Sequence, residues 1–165
     1  MILRGRCHVF GDQIDTDVLA PGPYMRKPLA ELASHCLEAV EPRFAREARP
    51  GDIIVAGTGF GIGSSREQAV QALLHLGIAA VVAKSFARIF YRNALNLGLP
   101  ALACTDVEAT AGDELELHPE QGRIVNLTTA RVFDCEPIPP QLMAVVRAGG
   151  LMPWLEARLS AQRGA

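Results

Sequence analysis

Apolar and polar positions follow two different periods along this chain, and the change of period divides it. Between residues 52 and 103, short apolar runs alternate with stretches of helical spacing. Asp52 to Ala56, Ile78 to Ala83 and Leu99 to Ala103 read as buried strands. Ala69, Ala72, Leu73 and Leu76 lie on one face of a helix over 65–76, which Gly77 closes. Ser85 is placed to cap a second helix across Phe86, Ile89, Phe90, Ala94 and Leu97, ended by Gly98 and Pro100. Strands alternating with helices predict βαβ units on a parallel sheet, so the fold class is α/β with a central parallel βαβαβ segment.

Beyond residue 105 the period shortens to two. Glu114 to Leu117, Arg123 to Leu127 and Arg131 to Cys135 read as alternating strands, with a turn at residues 119–122. This is a smaller β-rich segment. Two helices, about 139–148 and 151–161, follow on either side of Gly149-Gly150. No linker or repeat divides the chain, so residues 1–165 are expected to form one domain, with 158–165 fraying at the end.

Composition narrows the function classes. With 165 residues, 49% of them hydrophobic, the chain can bury a full core. A net charge of -2, with arginines scattered rather than bunched, gives no footprint for nucleic acid or an anionic membrane. No apolar run is long enough to span a bilayer, and Arg4, Arg6, His8 and Asp12 interrupt any signal-peptide core, so a cytoplasmic location is expected. Cys7, Cys36, Cys104 and Cys135 are too far apart for a local metal or cluster motif, and they read as reduced, mostly buried thiols. The four histidines are equally dispersed. No metal site is expected in this chain.

The chemistry concentrates in residues 57–67, Gly-Thr-Gly-Phe-Gly-Ile-Gly-Ser-Ser-Arg-Glu. Alternating glycines let a backbone approach a ligand closely, and a helix starting at Ser64 or Ser65 turns unpaired N–H groups toward an anion. A dinucleotide fingerprint is excluded, because Ile62, Ser64 and Arg66 occupy the positions where its last glycine belongs. A P-loop is excluded for want of Gly-Lys-Ser or Gly-Lys-Thr. Ser64-Ser65-Arg66-Glu67 also has the form of a capping box, a purely structural alternative.

Two further clusters have structural readings. Asp12, Asp15 and Asp17 suggest an Asx turn leading into a Val18-Leu19 strand rather than a divalent-metal site. Arg88 and Arg92 are one helical turn apart, where an ion-pair or hydrogen-bonding role is as good a reading as substrate contact, and they are left out of the expected site.

Taken in order, Gly11-Asp-Gln-Ile-Asp-Thr-Asp17, Pro50-Gly-Asp-Ile-Ile-Val-Ala-Gly57, Phe60-Gly-Ile-Gly-Ser-Ser-Arg-Glu67, Ser85-Phe-Ala-Arg-Ile-Phe-Tyr-Arg-Asn93 and Asn126-Leu-Thr-Thr129 resemble the small subunits of 3-isopropylmalate dehydratases. These subunits match the swivelling β/β/α fourth domain of aconitases. The resemblance runs over about residues 3–158. It implies a half-enzyme of leucine biosynthesis, in which a separate large subunit carries a [4Fe–4S] cluster and this chain binds no cofactor of its own. The reaction it implies is dehydration and rehydration of a 2-hydroxy diacid. Carried over by position, Ser64 is the base, and Ser65 and Arg66 contact a substrate carboxylate. Backbone groups of Gly61, Ile62 and Gly63 belong to the loop around it. Tyr24-Met-Arg-Lys27 matches the substrate-discriminating loop, which brings in Tyr24 and Arg26.

Ile62, Gln68 and Gly22-Pro23 depart from common residues of that family. The alternatives they leave open are homoaconitate, citraconate or maleate, and dimethylmalate hydratases. A non-catalytic binding domain is the reading from a different class, and it would lack a large-subunit partner.

Overall fold

The computed structural model describes residues 1–165. Seven strands form one mixed sheet in the order β4-β3-β2-β1-β5-β6-β7. They are β1 (Leu3–Val9), β2 (Ile53–Ala56), β3 (Ala80–Ala83), β4 (Ala101–Ala103), β5 (Glu114–His118), β6 (Arg123–Asn126) and β7 (Arg131–Asp134). Strands β1 to β4 are mutually parallel and β5 to β7 are antiparallel to their neighbours, so the change of period after residue 105 marks a change of strand direction.

Strands β2 and β3 are apolar throughout because both of their faces are covered. Ile54, Ala56, Val81 and Ala83 face one apolar cluster, while Ile53, Val55, Ala80 and Val82 face another. A strand buried on both faces loses the alternation of a half-exposed one. The first cluster lies under α1 (Thr16–Leu19), α2 (Leu29–Ser34), α3 (Phe44–Glu47), α4 (Glu67–His75) and the inward face of α5 (Arg88–Asn96). The second lies between the sheet and α6 (Pro140–Arg147), beyond which α7 (Leu151–Arg163) is largely exposed.

The sheet curls until its two edges approach. The Glu136 N–H donates to the Ala103 carbonyl at 3.0 Å, and Cys104 Sγ lies 3.5 Å from the Asp134 carbonyl. This seam also brings the Cys104 and Cys135 thiols near each other, and that proximity together with burial pushes the Cys135 thiol up. Burial, with the Asp113 charge beside it, raises the Cys7 thiol to about 11.

Two local expectations are corrected, and one element was not read. Val18 and Leu19 are helical, because the Asp15 side chain accepts the Val18 N–H at 2.9 Å and caps α1. Ser85 caps nothing: α5 begins at Arg88, and Ser85 Oγ instead accepts the Gly59 N–H at 2.9 Å. Strand β1, at the centre of the sheet, is absent from the sequence reading. Its basic residues Arg4, Arg6 and His8 alternate with Leu3, Gly5, Cys7 and Val9, a period-two signal that the segment does carry.

Candidate active site

The loop that joins β2 to α4 is threaded between two neighbouring segments and is hydrogen-bonded to both. On one side, Gly57 N–H donates to Gly11 O, Gln13 N–H to Thr58 O, Gly61 N–H to Ile14 O and Thr16 N–H to Ile62 O, at 2.7 to 3.1 Å. The Asp12 side chain adds an acceptor for the Thr58 N–H at 2.7 Å. On the other side, Phe60 N–H donates to Ser85 O and Ala87 N–H to Phe60 O, at 3.1 and 2.9 Å.

Two of the glycines show why this threading needs them. Gly61 has φ +83°, and a Cβ there would lie 2.2 Å from Cγ of Phe90. Gly63 has φ +106°, and its Cβ would lie 2.9 Å from Thr16 Oγ1. Both φ values belong to the region that glycine adopts without strain. The missing side chains therefore make room for Phe90 and Thr16 rather than for a ligand.

The threading also decides which backbone donors are available. Gly61 N–H is held by Ile14 O, Ile62 N–H by Gly59 O at 3.4 Å, and Ser64 N–H by Thr16 Oγ1 at 3.1 Å. This narrows the expected row of donors at Gly61, Ile62 and Gly63 to one member. The N–H groups of Gly63 and Ser65 have no partner within the chain, nor do those of Glu67 and Gln68 in the first turn of α4.

The helix starts at Glu67, with Arg66 at the cap position and no side-chain cap. The capping box is therefore not formed. Ser64 instead lies against α1, with its Oγ 3.3 Å from Thr16 Oγ1. Thr16 is buried and Ser64 is exposed. Because Thr16 Oγ1 already accepts the Ser64 N–H, its own proton is free to donate to Ser64 Oγ.

Arg66 turns back along α1. Its Nη1 donates to the Ala20 carbonyl at 3.0 Å and to Asp17 Oδ1 at 2.5 Å. The remaining guanidinium donors stay open. Each aspartate of the 12–17 segment thus has a structural partner: the Thr58 N–H, the Val18 N–H and Arg66. No group of three or more His, Cys, Asp or Glu side chains is placed to hold a metal ion.

Tyr24 and Arg26 follow α1 in a short 3-10 turn, Gly22–Tyr24, and its exit. The Tyr24 ring stacks on His35, with centroids 3.6 Å apart and planes 3° from parallel. His35 is itself held by Glu38 at 2.6 Å. Arg26, in contrast, is exposed.

Beside the glycine loop lies an open hollow of about 410 Å³ lined by Gly61, Gly63, Ala87, Arg88, Ile89 and Arg92. Arg88 and Arg92 are exposed, and neither enters any ion pair of the chain, so the ion-pair reading does not hold. A larger hollow of about 660 Å³ on the far side of Arg88 is bounded by Lys84, Tyr91, Asp134, Cys135 and Glu136. Of the expected residues, Ser64 and Arg66 are held against α1 and its exit, by Thr16, Asp17 and Ala20, with the exposed Ser65 between them. Thr16 and Asp17 are the partners that sequence reasoning missed, although they stand inside the Asp-Thr-Asp run already singled out.

The aconitase C-terminal domain family matches residues 34–106. The 3-isopropylmalate dehydratase small subunit of Moorella thermoacetica is 48% identical over 96% of this chain and 98% of its own length. The methanogen homoaconitase small subunit of Methanothermobacter thermautotrophicus is 49% identical over 92% of this chain and 89% of its own. The crystal structure of 3-isopropylmalate dehydratase from Methanocaldococcus jannaschii superposes with a TM-score of 0.93, at 45% identity, over 99% of both chains. The threaded glycine loop, the curled mixed sheet and this near-complete coverage agree, and the chain belongs to the 3-isopropylmalate dehydratase small-subunit family of aconitase-type hydro-lyases.

Proposed function

We propose that this chain is the small subunit of a two-subunit hydro-lyase that interconverts the isomers of a 2-hydroxy diacid, with 3-isopropylmalate as the substrate and Ser64 as the base. The observation that carries the reading is the setting of Ser64. It is an exposed hydroxyl at the end of a rigidly threaded loop, without a capping role, beside a buried threonine hydroxyl and between the free N–H groups of Gly63 and Ser65.

A serine hydroxyl abstracts a proton only if its alkoxide is stabilised in place. Thr16 supplies one donor at Ser64 Oγ, and the first turn of α4 adds positive partial charge nearby. The proton to be removed stands next to a carboxylate, and the open donors of Arg66 and the Ser65 hydroxyl receive that group. Asp17 fixes the direction of the Arg66 guanidinium, so little rotamer freedom is lost on binding. The other half of the reaction is supplied by the large subunit, whose [4Fe–4S] cluster provides a Lewis acid for the departing hydroxyl. The large subunit also closes the site, and the segment of Tyr24 and Arg26 lies over the variable end of the substrate. Homoaconitate is the second reading, favoured by the similarity to a methanogen homoaconitase small subunit.

Ser64→Ala in the assembled enzyme tests the assignment. The expected result is a fall in kcat of about 10²-fold or more with an unchanged melting temperature, because Ser64 caps no helix. Near-normal kcat refutes the role of Ser64.

A further inference from the structure

The hollow beside the glycine loop contains two positive charges that the fold itself does not use. Arg88 and Arg92 stand four residues apart on α5, on one face, where their like charges repel. Six arginines of this chain are held by carboxylates, among them Arg6 by Asp52 and Arg66 by Asp17; of the eight that are not, Arg88 and Arg92 are the two that line a hollow together with the glycine loop. Asp134 and Glu136 line the larger hollow together with Arg88, and Arg88 pairs with neither. Arg92 lines the glycine-loop hollow but not the larger one. The floor between them is the backbone of Gly61 and Gly63, and the N–H of Gly63 has no partner in the chain. Ser64 is the next residue, its Cα about 3.8 Å from that of Gly63.

We infer that Arg92, assisted by Arg88, binds the second carboxylate of the diacid, the one remote from the proton that Ser64 removes. The inference rests on the reading of Ser64 as base. A 2-hydroxy diacid presents two carboxylates, and Arg66 is half committed to Asp17 and Ala20 O, so one guanidinium does not satisfy both. The hollow, at about 410 Å³, lies within the range that holds a small diacid. A planar guanidinium on the wall of such a hollow offers bidentate hydrogen bonds to a carboxylate and discriminates against a neutral or apolar group at that position.

The test uses the assembled two-subunit enzyme with Arg92→Gln, Arg92→Lys and Arg88→Gln, and Arg26→Leu as a comparison. Two readouts are taken: KM and kcat for the diacid, and competitive inhibition by succinate against butyrate, its monocarboxylate counterpart. For Arg92→Gln the expected result is a rise in KM of about 10- to 100-fold with a smaller change in kcat, and loss of the preference for succinate over butyrate. Arg92→Lys should retain part of that preference because it keeps the charge without the fork. Arg88→Gln should show the same direction with a smaller effect. Unchanged KM and inhibitor preference in Arg92→Gln overturns the inference. So does a variant whose only defect is weaker binding of the large subunit, which would assign these arginines to acidic side chains of the partner. The inhibitor preference is measured in enzyme that keeps Ser64, and it reports carboxylate binding rather than proton transfer, so a failed Ser64 assignment is distinguishable from a failed Arg92 assignment.

Discussion

At the scale of single residues, the pairing of Thr16 with Ser64 is what separates the chemical reading from the structural one. Thr16 is buried, its hydroxyl accepts the Ser64 N–H, and it lies 3.3 Å from Ser64 Oγ. A hydroxyl that only filled space there could be replaced by the isosteric methyl of valine at the cost of one orphaned N–H. A hydroxyl that steadies an alkoxide could not. Thr16→Val is therefore expected to lower kcat by about 10-fold or more, the scale of one lost donor to a developing charge, while Thr16→Ser restores most of it. Thermal melting of the two variants separates the contributions: both should lose a little stability, but only the valine should lose turnover. Equal kcat in the two variants would reduce Thr16 to a packing residue.

At the scale of elements, the segments that position the loop are held by one buried carboxylate. Asp52, just before β2, accepts hydrogen bonds from Arg6 and His8 on β1 and from the Arg49 N–H, at 2.9, 2.7 and 3.0 Å. Burial by itself raises this carboxyl, but the bonds from His8, the Arg49 N–H and Arg6 outweigh it and hold it below the ordinary carboxylate range. A depressed folded value means that the stabilisation is present above the unfolded value, near 4, and is lost as the pH falls through the folded value. Asp52→Asn should cost about 2 kcal/mol at neutral pH, with the wild-type advantage shrinking as the pH drops below about 4. Urea unfolding midpoints from pH 2 to 8 measure this directly, and a constant difference across that range would show that the charge on Asp52 is not responsible.

Elements were legible where the apolar period is unbroken, whether burial is two-sided or one-sided, and their partners were not. Strands β2 and β3 and helix α4 follow from apolar period alone. Strand β1 carries the alternation of a half-exposed strand, but nothing in that alternation shows that Arg6 and His8 turn toward Asp52 or that the strand lies at the centre of the sheet. The candidate site divides in the same way. The glycine loop announced itself, but a local pattern contains no information about which distant segment fills the space above each glycine. That is why Phe90 above Gly61 and Thr16 above Gly63 appear only in the fold. The seam contact of Cys104 with Cys135, two residues 31 positions apart, escaped for the same reason.

At the scale of the whole molecule, the groups around the glycine loop are open on one side. Ser64, Ser65, Arg88 and Arg92 are exposed, and Ile89, on the same hollow, is 53% exposed. Guanidinium and backbone donors left in water lose most of their electrostatic strength to the high dielectric and to screening. Such a constellation stabilises an alkoxide only once a second surface excludes solvent. A chain of this shape should therefore have no hydro-lyase turnover by itself and should gain it in proportion to added large subunit, saturating at a fixed ratio. Titration of the purified chain with the large subunit, following alkene absorbance, checks both the dependence and the ratio. Turnover of a hydroxy diacid by the chain alone would mean that the exposed loop is already competent, and the division of chemistry between two subunits would have to be abandoned.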